Sequence, residues 1–369
     1  MVRILVFGMT ENPGGVESFL MNYIREMLSE DLKFDFLCNS YQKVAYEDEL
    51  KGMGCRMIHF PARSKNYRQY RRALTEFFSG HEKEYQGIWV NVSSLANIDY
   101  LIFAKRCGIP RRIIHSHNSQ NMDSGLRGLL HYRNRFRIGK YATDFWACSR
   151  EAALWFYRPD LLGRTRIIHN ALSVKSFAFR EEGRAEIRRM LSCTDELLIG
   201  TVGRLHFQKN QEFLLRIFAD VQKELPRTRL VLVGQGEEEE RLKAAAEKLG
   251  IRERVHFAGV QKNIADWLSA FDLFVFPSVF EGAPVAALEA QANGVPVLAS
   301  DRALPEACVM NKNCRRLSLK ERRETWVRTV CEMAHAERRE DAETILGNFR
   351  EQGYDICREA EKVEKILHR

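Results

Sequence analysis

The chain reads as an α/β protein of two Rossmann-like domains, each a parallel sheet with helices on both faces. Three observations lead there. Its 369 residues exceed the length at which one hydrophobic core usually stops growing. Short apolar runs alternate with longer stretches of helical spacing, and that series occurs twice. Several runs end in glycine-rich or charged loops, where open parallel sheets hold their ligands.

In the first series, strand-like runs fall at 3–7, 34–37, 57–60, 88–92, 112–116, 144–147 and 166–169. The opening Met1-Val-Arg-Ile-Leu-Val-Phe-Gly8 is too short an apolar stretch for a signal peptide and is expected to be the first buried strand. The second series places strands at 197–202, 230–233, 273–276 and 295–299. After the first of these comes an amphipathic helix bearing Phe213, Leu214, Ile217, Phe218 and Val221. Beyond Leu317 the pattern turns helical and charged, with Trp326, Val330 and Met333 on one face and Ile356, Ala360, Val363 and Ile366 or Leu367 on another. The pattern divides the chain into domains at 1–175 and 176–350, with a final helical segment at 351–369.

Composition suits ordinary cores, at 45% hydrophobic and 29% charged residues. No run approaches about 20 apolar residues, so a transmembrane helix is not expected. The nine cysteines are dispersed without metal or redox spacing, which suggests reduced thiols and a cytoplasmic protein. The net charge of +8 is uneven: 56–72 and 127–140 are both basic and partly amphipathic. Each fits either a peripheral contact with anionic lipid or a solvated helix face whose apolar side joins the core.

Three loops carry the chemistry. The segment Phe280-Glu-Gly-Ala-Pro-Val-Ala-Ala-Leu-Glu289 sets two carboxylates eight positions apart around a Gly-X-Pro turn. Proline at the first helical position would leave an anion-binding helix start, toward which Glu289 leans from one turn inside. Gly203-Arg204-Leu-His-Phe-Gln-Lys209-Asn210 places a guanidinium and an ammonium after a strand, a pairing suited to phosphate oxygens. Gly234-Gln-Gly236 resembles part of a dinucleotide turn but lacks its third glycine, and the acids Glu237 to Glu240 that follow read as charge matched to a helix dipole.

The ordered set Gly14-Gly15, His115-Ser-His117-Asn118, Gly203-Arg204 with Lys209-Asn210, Gly234-Gln-Gly236, and Glu281 with seven residues before Glu289 resembles the family-4 retaining glycosyltransferases of the GT-B class. It covers nearly the whole chain. The resemblance implies two Rossmann-like domains facing across a cleft, an acceptor-binding first domain, a nucleotide-sugar-binding second domain, and the segment 351–369 crossing back to the first. By position, Arg204 and Lys209 match the cations that neutralise the donor diphosphate, and Glu289 matches the acid that holds the ribose hydroxyls. Glu281 matches the acid near the donor sugar, with Gly282, Ala283 and Val285 supplying nearby backbone and Gly203, Gly234 and Gly236 the other donor loops. Gly14 and Gly15 match a loop approaching diphosphate and acceptor, and His117 matches a histidine beside the transfer site, with His115 as its rival.

The donor implied is a nucleotide sugar, UDP-linked, with no metal required. The acceptor implied is a glycan or a lipid-linked glycan. The stretch 300–326 resembles members that build capsular or exopolysaccharide repeat units. One departure stands at the domain junction, where Asn170-Ala171-Leu172-Ser173 replaces the family's Asn-Gly, aliphatic, Asp run. Two other classes fit parts of the pattern. A nucleic-acid-binding protein would explain the basic stretches, but no groove-reading motif is present. A dehydrogenase would explain paired Rossmann patterns, but Gly8 and Gly14-Gly15 have the wrong spacing for a dinucleotide turn.

Overall fold

The computed structural model describes residues 1–81, 83–118, 125–193, 195–281, 283–336 and 339–368. It divides into two compact units: Met1–Leu172 together with Ile356–Arg369, and Ser173–Asp355.

The first unit holds seven parallel strands, β1 (Val2–Phe7), β2 (Leu32–Cys38), β3 (Arg56–His59), β4 (Gly87–Val92), β5 (Arg111–Ser116), β6 (Asp144–Ala147) and β7 (Thr165–Ile167). Their spatial order is β3-β2-β1-β4-β5-β6-β7. Central strands such as β1 are apolar on both faces because helices cover both. One face packs Phe19, Tyr23, Trp89 and Trp146; the other packs Tyr70, Phe78, Tyr100 and Tyr157. The helix Ile356–Leu367 returns to this unit and buries Ile356, Ala360, Val363 and Leu367 in the first of these clusters, beside the helix Gly15–Met27. Ile356 N donates to Leu172 O at 3.1 Å, so the point where the chain leaves this unit is tied to the point where it returns.

The second unit repeats the plan with six strands, β8 (Leu197–Val202), β9 (Thr228–Val233), β10 (Val255–Gly259), β11 (Leu273–Phe276), β12 (Val297–Ser300) and β13 (Cys314–Leu317). The order is β10-β9-β8-β11-β12-β13, with every neighbouring pair parallel. Its core joins β8, β9 and β11 to the helices Gln211–Glu224 and Arg323–Ala336, with Trp326, Val330 and Met333 buried on one face. The sequence reading omits β10 and β13. Both are edge strands with only partial burial, and β13 carries Arg315 and Arg316, so neither shows the apolar run of a central strand.

Candidate functional site

Both sheets reverse their strand order beside the first strand, between β1 and β4 in one unit and between β8 and β11 in the other. In open parallel sheets the loops at that reversal are splayed apart, which leaves room for a ligand above the carboxyl ends of the strands. The charged motifs of the second unit stand on those two loops. Gly203 to Asn210 follows β8, and Pro277 to Pro284 follows β11.

The two loops are tied together by polar contacts. Lys209 Nζ lies 2.8 Å from Glu281 Oε1, with the Glu281 side chain only 6% exposed and that of Lys209 22%. Gln208 Nε2 donates to Phe280 O at 2.9 Å and to Glu281 Oε2 at 3.3 Å, while Gln208 O accepts from Val279 N at 2.8 Å. Asn210 adopts the left-handed region at φ 56°, a conformation asparagine tolerates better than most residues, and its Nδ2 donates to Pro277 O at 3.1 Å. Lys209 Nζ also stands 5.1 Å from the centre of the Phe276 ring. An ammonium so placed is fixed by a carboxylate, a ring and its own turn.

Glu289 sits on the helix Val285–Asn293, about one turn in. The residue keeps part of its surface exposed, but burial pushes its carboxyl up to about 7, against the pull of Lys209. Among the described residues it makes no hydrogen bond. The helix start differs from expectation. Pro284 is the N-cap (φ −81°, ψ 54°), not the first helical residue, and Val285 N is engaged by Ala283 O at 2.9 Å. The next amides, of Ala286 and Ala287, are then the ones helix geometry leaves without an intrahelical partner. Gly282 lies outside the described residues.

Arg204 is placed differently. Its side chain is 68% exposed and pairs with Glu237 at 3.0 Å, a carboxylate that also stands 3.4 Å from His206 Nε2. The structure therefore gathers Lys209, Glu281 and Glu289 at one locus and sets Arg204 on a separate ion pair. Gly234 and Gly236 let the loop after β9 press against the Gly203 loop. A Cβ at Gly234, where φ is +130°, would fall 2.1 Å from Gly203 O, and one at Gly236 would fall 2.2 Å from Leu205 O.

Beside the reversal of the first sheet, a neutral pair stands at the carboxyl ends of β4 and β5. His117 Nε2 lies 2.9 Å from Asn91 Oδ1 on β4, and Asn91 Nδ2 donates to Trp89 O at 3.4 Å. That orients the amide so that His117 Nε2 carries the proton and Nδ1 the lone pair. Desolvation lowers the His117 ring to about 3, so it is neutral. His115 lies deeper, fully buried among Phe19, Trp89 and Trp146, with neither ring nitrogen hydrogen-bonded and its pKa driven well below the usual value, first by burial and then by His117. Of the two, His117 stands at the strand end. Gly14 is the extended N-cap of the helix Gly15–Met27, where the buried Glu17 accepts from Thr10 N at 3.2 Å and Thr10 Oγ1 at 2.5 Å, so that carboxylate fastens the loop after β1.

Sequence reasoning missed Gln208, Asn91 and the pairing of Glu237 with Arg204. Gln208 and Asn91 are neutral and stand on their loop or strand without a spacing signature. Glu237 was visible within an acidic run, but as a dipole match and not as a partner. At the junction, Ala171 is fully buried with no positive φ, so this turn does not need the family's glycine. Among the described residues, no group of three or more His, Cys, Asp or Glu gathers in the manner of metal ligands.

The family model described as Glycosyl transferases group 1 matches residues 184–343, all within the second unit. The putative glycosyltransferase EpsF of Bacillus subtilis is 29% identical over 361 residues, covering 93% of this chain and 90% of that protein. The Vi polysaccharide biosynthesis protein VipC/TviE of Salmonella typhi is 37% identical over 102 residues, 28% of this chain and 18% of its own. The crystal structure of Anabaena HepE in complex with UDP and glucose covers the whole of both chains with a TM-score of 0.80 at 17% identity, a likeness of fold.

Proposed function

For a chain that carries a glycosyl transferases group 1 domain on a GT-B fold, and is a glycosyltransferase, we propose a retaining transfer from a UDP-sugar to an acceptor hydroxyl in cell-surface polysaccharide synthesis. The observation that carries this reading is the gathering of Lys209, Glu281 and Glu289 on the two loops at the strand-order reversal of the second sheet. A nucleoside diphosphate sugar needs that combination: a cation for the diphosphate, and acids that accept from the hydroxyls of ribose and sugar.

The diphosphate takes its place beside Lys209, where it competes with Glu281 for the ammonium. Arg204, already paired with Glu237, swings to a phosphate oxygen at little cost because its side chain is exposed. The amides of Ala286 and Ala287 add fixed donors at a helix start. Glu289, without a hydrogen-bond partner of its own, accepts from the ribose hydroxyls, and Glu281 from the sugar. The bond from the anomeric carbon to the phosphate oxygen breaks while the acceptor oxygen bonds to that carbon on the same face. The departing phosphate takes the acceptor proton. Preorganised cations and amides that meet the growing phosphate charge supply most of the rate. The acceptor, a glycan or lipid-linked glycan, is assigned to the first unit, where neutral His117 offers a lone pair and not a charge.

UDP is favoured because HepE was crystallised with UDP and glucose, and a polysaccharide product because of the Vi relative and the 300–326 resemblance. Charge neutralisation by Lys209, Arg204 and amides makes transfer independent of a divalent metal in this reading. A panel of nucleotide sugars in thermal-shift assays, followed by detection of released nucleotide with and without EDTA, tests it. The expected result is stabilisation by one UDP-sugar and release unaffected by EDTA. Stabilisation by no nucleotide sugar would remove the donor reading, and loss of release in EDTA would remove the metal-free one. Neither a dehydrogenase nor a nucleic-acid-binding protein gains support from the likenesses.

A further inference from the structure

The ammonium of Lys209 stands between two amides. Lys209 ends the short 3-10 turn Phe207–Lys209, and its neighbours Gln208 and Asn210 both reach the loop after β11 with neutral side chains. Gln208 Nε2 donates to Phe280 O at 2.9 Å and to Glu281 Oε2 at 3.3 Å, and Asn210 Nδ2 donates to Pro277 O at 3.1 Å. Between them Lys209 Nζ donates to the other carboxylate oxygen, Oε1, at 2.8 Å. The two oxygens of Glu281 thus have different kinds of partner, an ammonium on one and an amide on the other.

Gln208 is fixed by more than its side chain. Its N donates to His206 Nδ1 at 3.3 Å, and its O accepts from Val279 N at 2.8 Å, so its main chain is held on both sides. The side-chain amide has two N–H donors, and Phe280 O and Glu281 Oε2 take both, which leaves it one orientation. It is also uncharged. A diphosphate that draws an ammonium off a carboxylate has much less pull on an amide already donating twice. The Glu281 side chain is only 6% exposed, so solvent offers little in place of a departing cation. A donor that stays is what such a carboxylate needs.

We propose that Gln208 is a positioning residue for sugar transfer, holding the Glu281 carboxylate against the donor sugar after Lys209 has turned to the diphosphate. The inference rests on the proposed function, in which Lys209 and Glu281 meet those two parts of the donor. Oε2 stays with the amide, and Oε1, vacated by the ammonium, accepts from a sugar hydroxyl. Without the amide the carboxylate follows Lys209 or turns away, and the sugar loses its alignment with the acceptor oxygen. Misplacement of that kind costs rate while the nucleotide keeps its own contacts.

The test is Gln208→Met in the full chain, which keeps the side-chain length and removes both donors. With whichever of UDP-glucose, UDP-galactose and UDP-N-acetylglucosamine the parent turns over fastest, kcat/KM should fall about tenfold, while the Kd for UDP, which has no sugar, stays within about twofold. Measured on the residual turnover of Glu281→Ala, the same substitution should cost no more than about twofold, because a residue that acts through Glu281 has nothing left to position. A residue that merely held the loop would lose as much in either background, and equal losses overturn the proposal. So does a folded Gln208→Met that turns over like the parent. Should that variant unfold the chain, Gln208→Asn serves in its place, its amide one methylene short of the carboxylate, with the same losses expected. A parent that binds none of the three UDP-sugars fails at the donor reading, before any substitution, and takes this inference with it.

Discussion

The strand ends around the two strand-order reversals have the same place in the same kind of sheet but different chemistry. In the second unit the loops after β8 and β11 carry Lys209 and Glu281 as an ion pair, and Arg204 paired with Glu237 from the loop after β9. In the first unit the loop after β1 is fastened by the Glu17 carboxylate, and the neighbouring ends of β4 and β5 carry Asn91 and His117, a neutral hydrogen-bonded pair beside a fully buried second histidine. The shared topology supplies the opening, and the side chains decide what can be held there. On the proposed function, one set would meet an ionic ligand and the other an acceptor hydroxyl.

The largest effect should come from Lys209. Its alanine variant is expected to lower turnover by about 10²–10³, the size found when a preorganised transition-state donor is removed. Stability should fall by only about 1 kcal/mol, because Glu281 loses its cation but keeps Gln208. Adding Glu281→Gln should restore that stability and leave turnover low, read by urea unfolding beside nucleotide release. If the single variant is as active as the parent, the ammonium has no chemical role and the contrast between the units collapses.

A second experiment divides the histidines. His115 is enclosed by Phe19, Trp89 and Trp146, so His115→Ala leaves a cavity and should cost about 2–4 kcal/mol in unfolding free energy. His117→Ala should cost about 1 kcal/mol, chiefly by stranding Asn91 Oδ1. Its transfer rate should drop roughly tenfold, the loss of one positioned group, with nucleotide affinity unchanged. The reverse pattern, a stable His115 variant with impaired transfer, would exchange their roles.

Arg204 provides a milder test. An exposed ion pair contributes little to stability, so Arg204→Ala should shift unfolding by no more than about 0.5 kcal/mol. Turnover should fall about tenfold, less than for Lys209, since the guanidinium is not fixed in place beforehand. If the two losses are equal, Arg204 moves onto the phosphate as completely as Lys209 is already placed.

These residues also show what a sequence can disclose. Central strands such as β1, β6, β8 and β11 were legible because burial on both faces forces an apolar run, and the charged loops were legible because they follow such runs. Edge strands β10 and β13 were not, since their partial exposure lets His256 and Arg315 interrupt runs that are already short. The candidates Lys209, Glu281 and Glu289 came from spacing and resemblance. That they share one site was also expected from the resemblance; the contact that ties their loops, Asn210 at φ 56° bonding to Pro277, was not, because it joins segments far apart in the chain. The expected strand 112–116 left His117 at its end, but how completely His115 is enclosed was beyond the sequence. Strand alternation is the same for residues two apart, and only the aromatic cage separates them.

Glu289 should show the most diagnostic effect, because folding and binding pull its proton in opposite directions. Burial raises its carboxyl from 4.5 to about 7, so between those values the folded chain holds a proton that the unfolded chain has released. Its contribution to stability is then fully present below about 4.5 and is lost as pH rises through about 7. Since the residue keeps some exposed surface, the loss should be about 1 kcal/mol and not the full amount the shift implies. Nucleotide binding has the opposite sign, as ribose hydroxyls donate to the ionised carboxylate, so affinity should rise severalfold from pH 6 to pH 8. Glu289→Gln should flatten both profiles and weaken nucleotide binding about tenfold, measured by calorimetric titration beside thermal unfolding. A variant that flattens the stability profile while leaving the nucleotide profile intact would mark Glu289 as a buried acid of the helix and shift the ribose contact to another residue of the second unit.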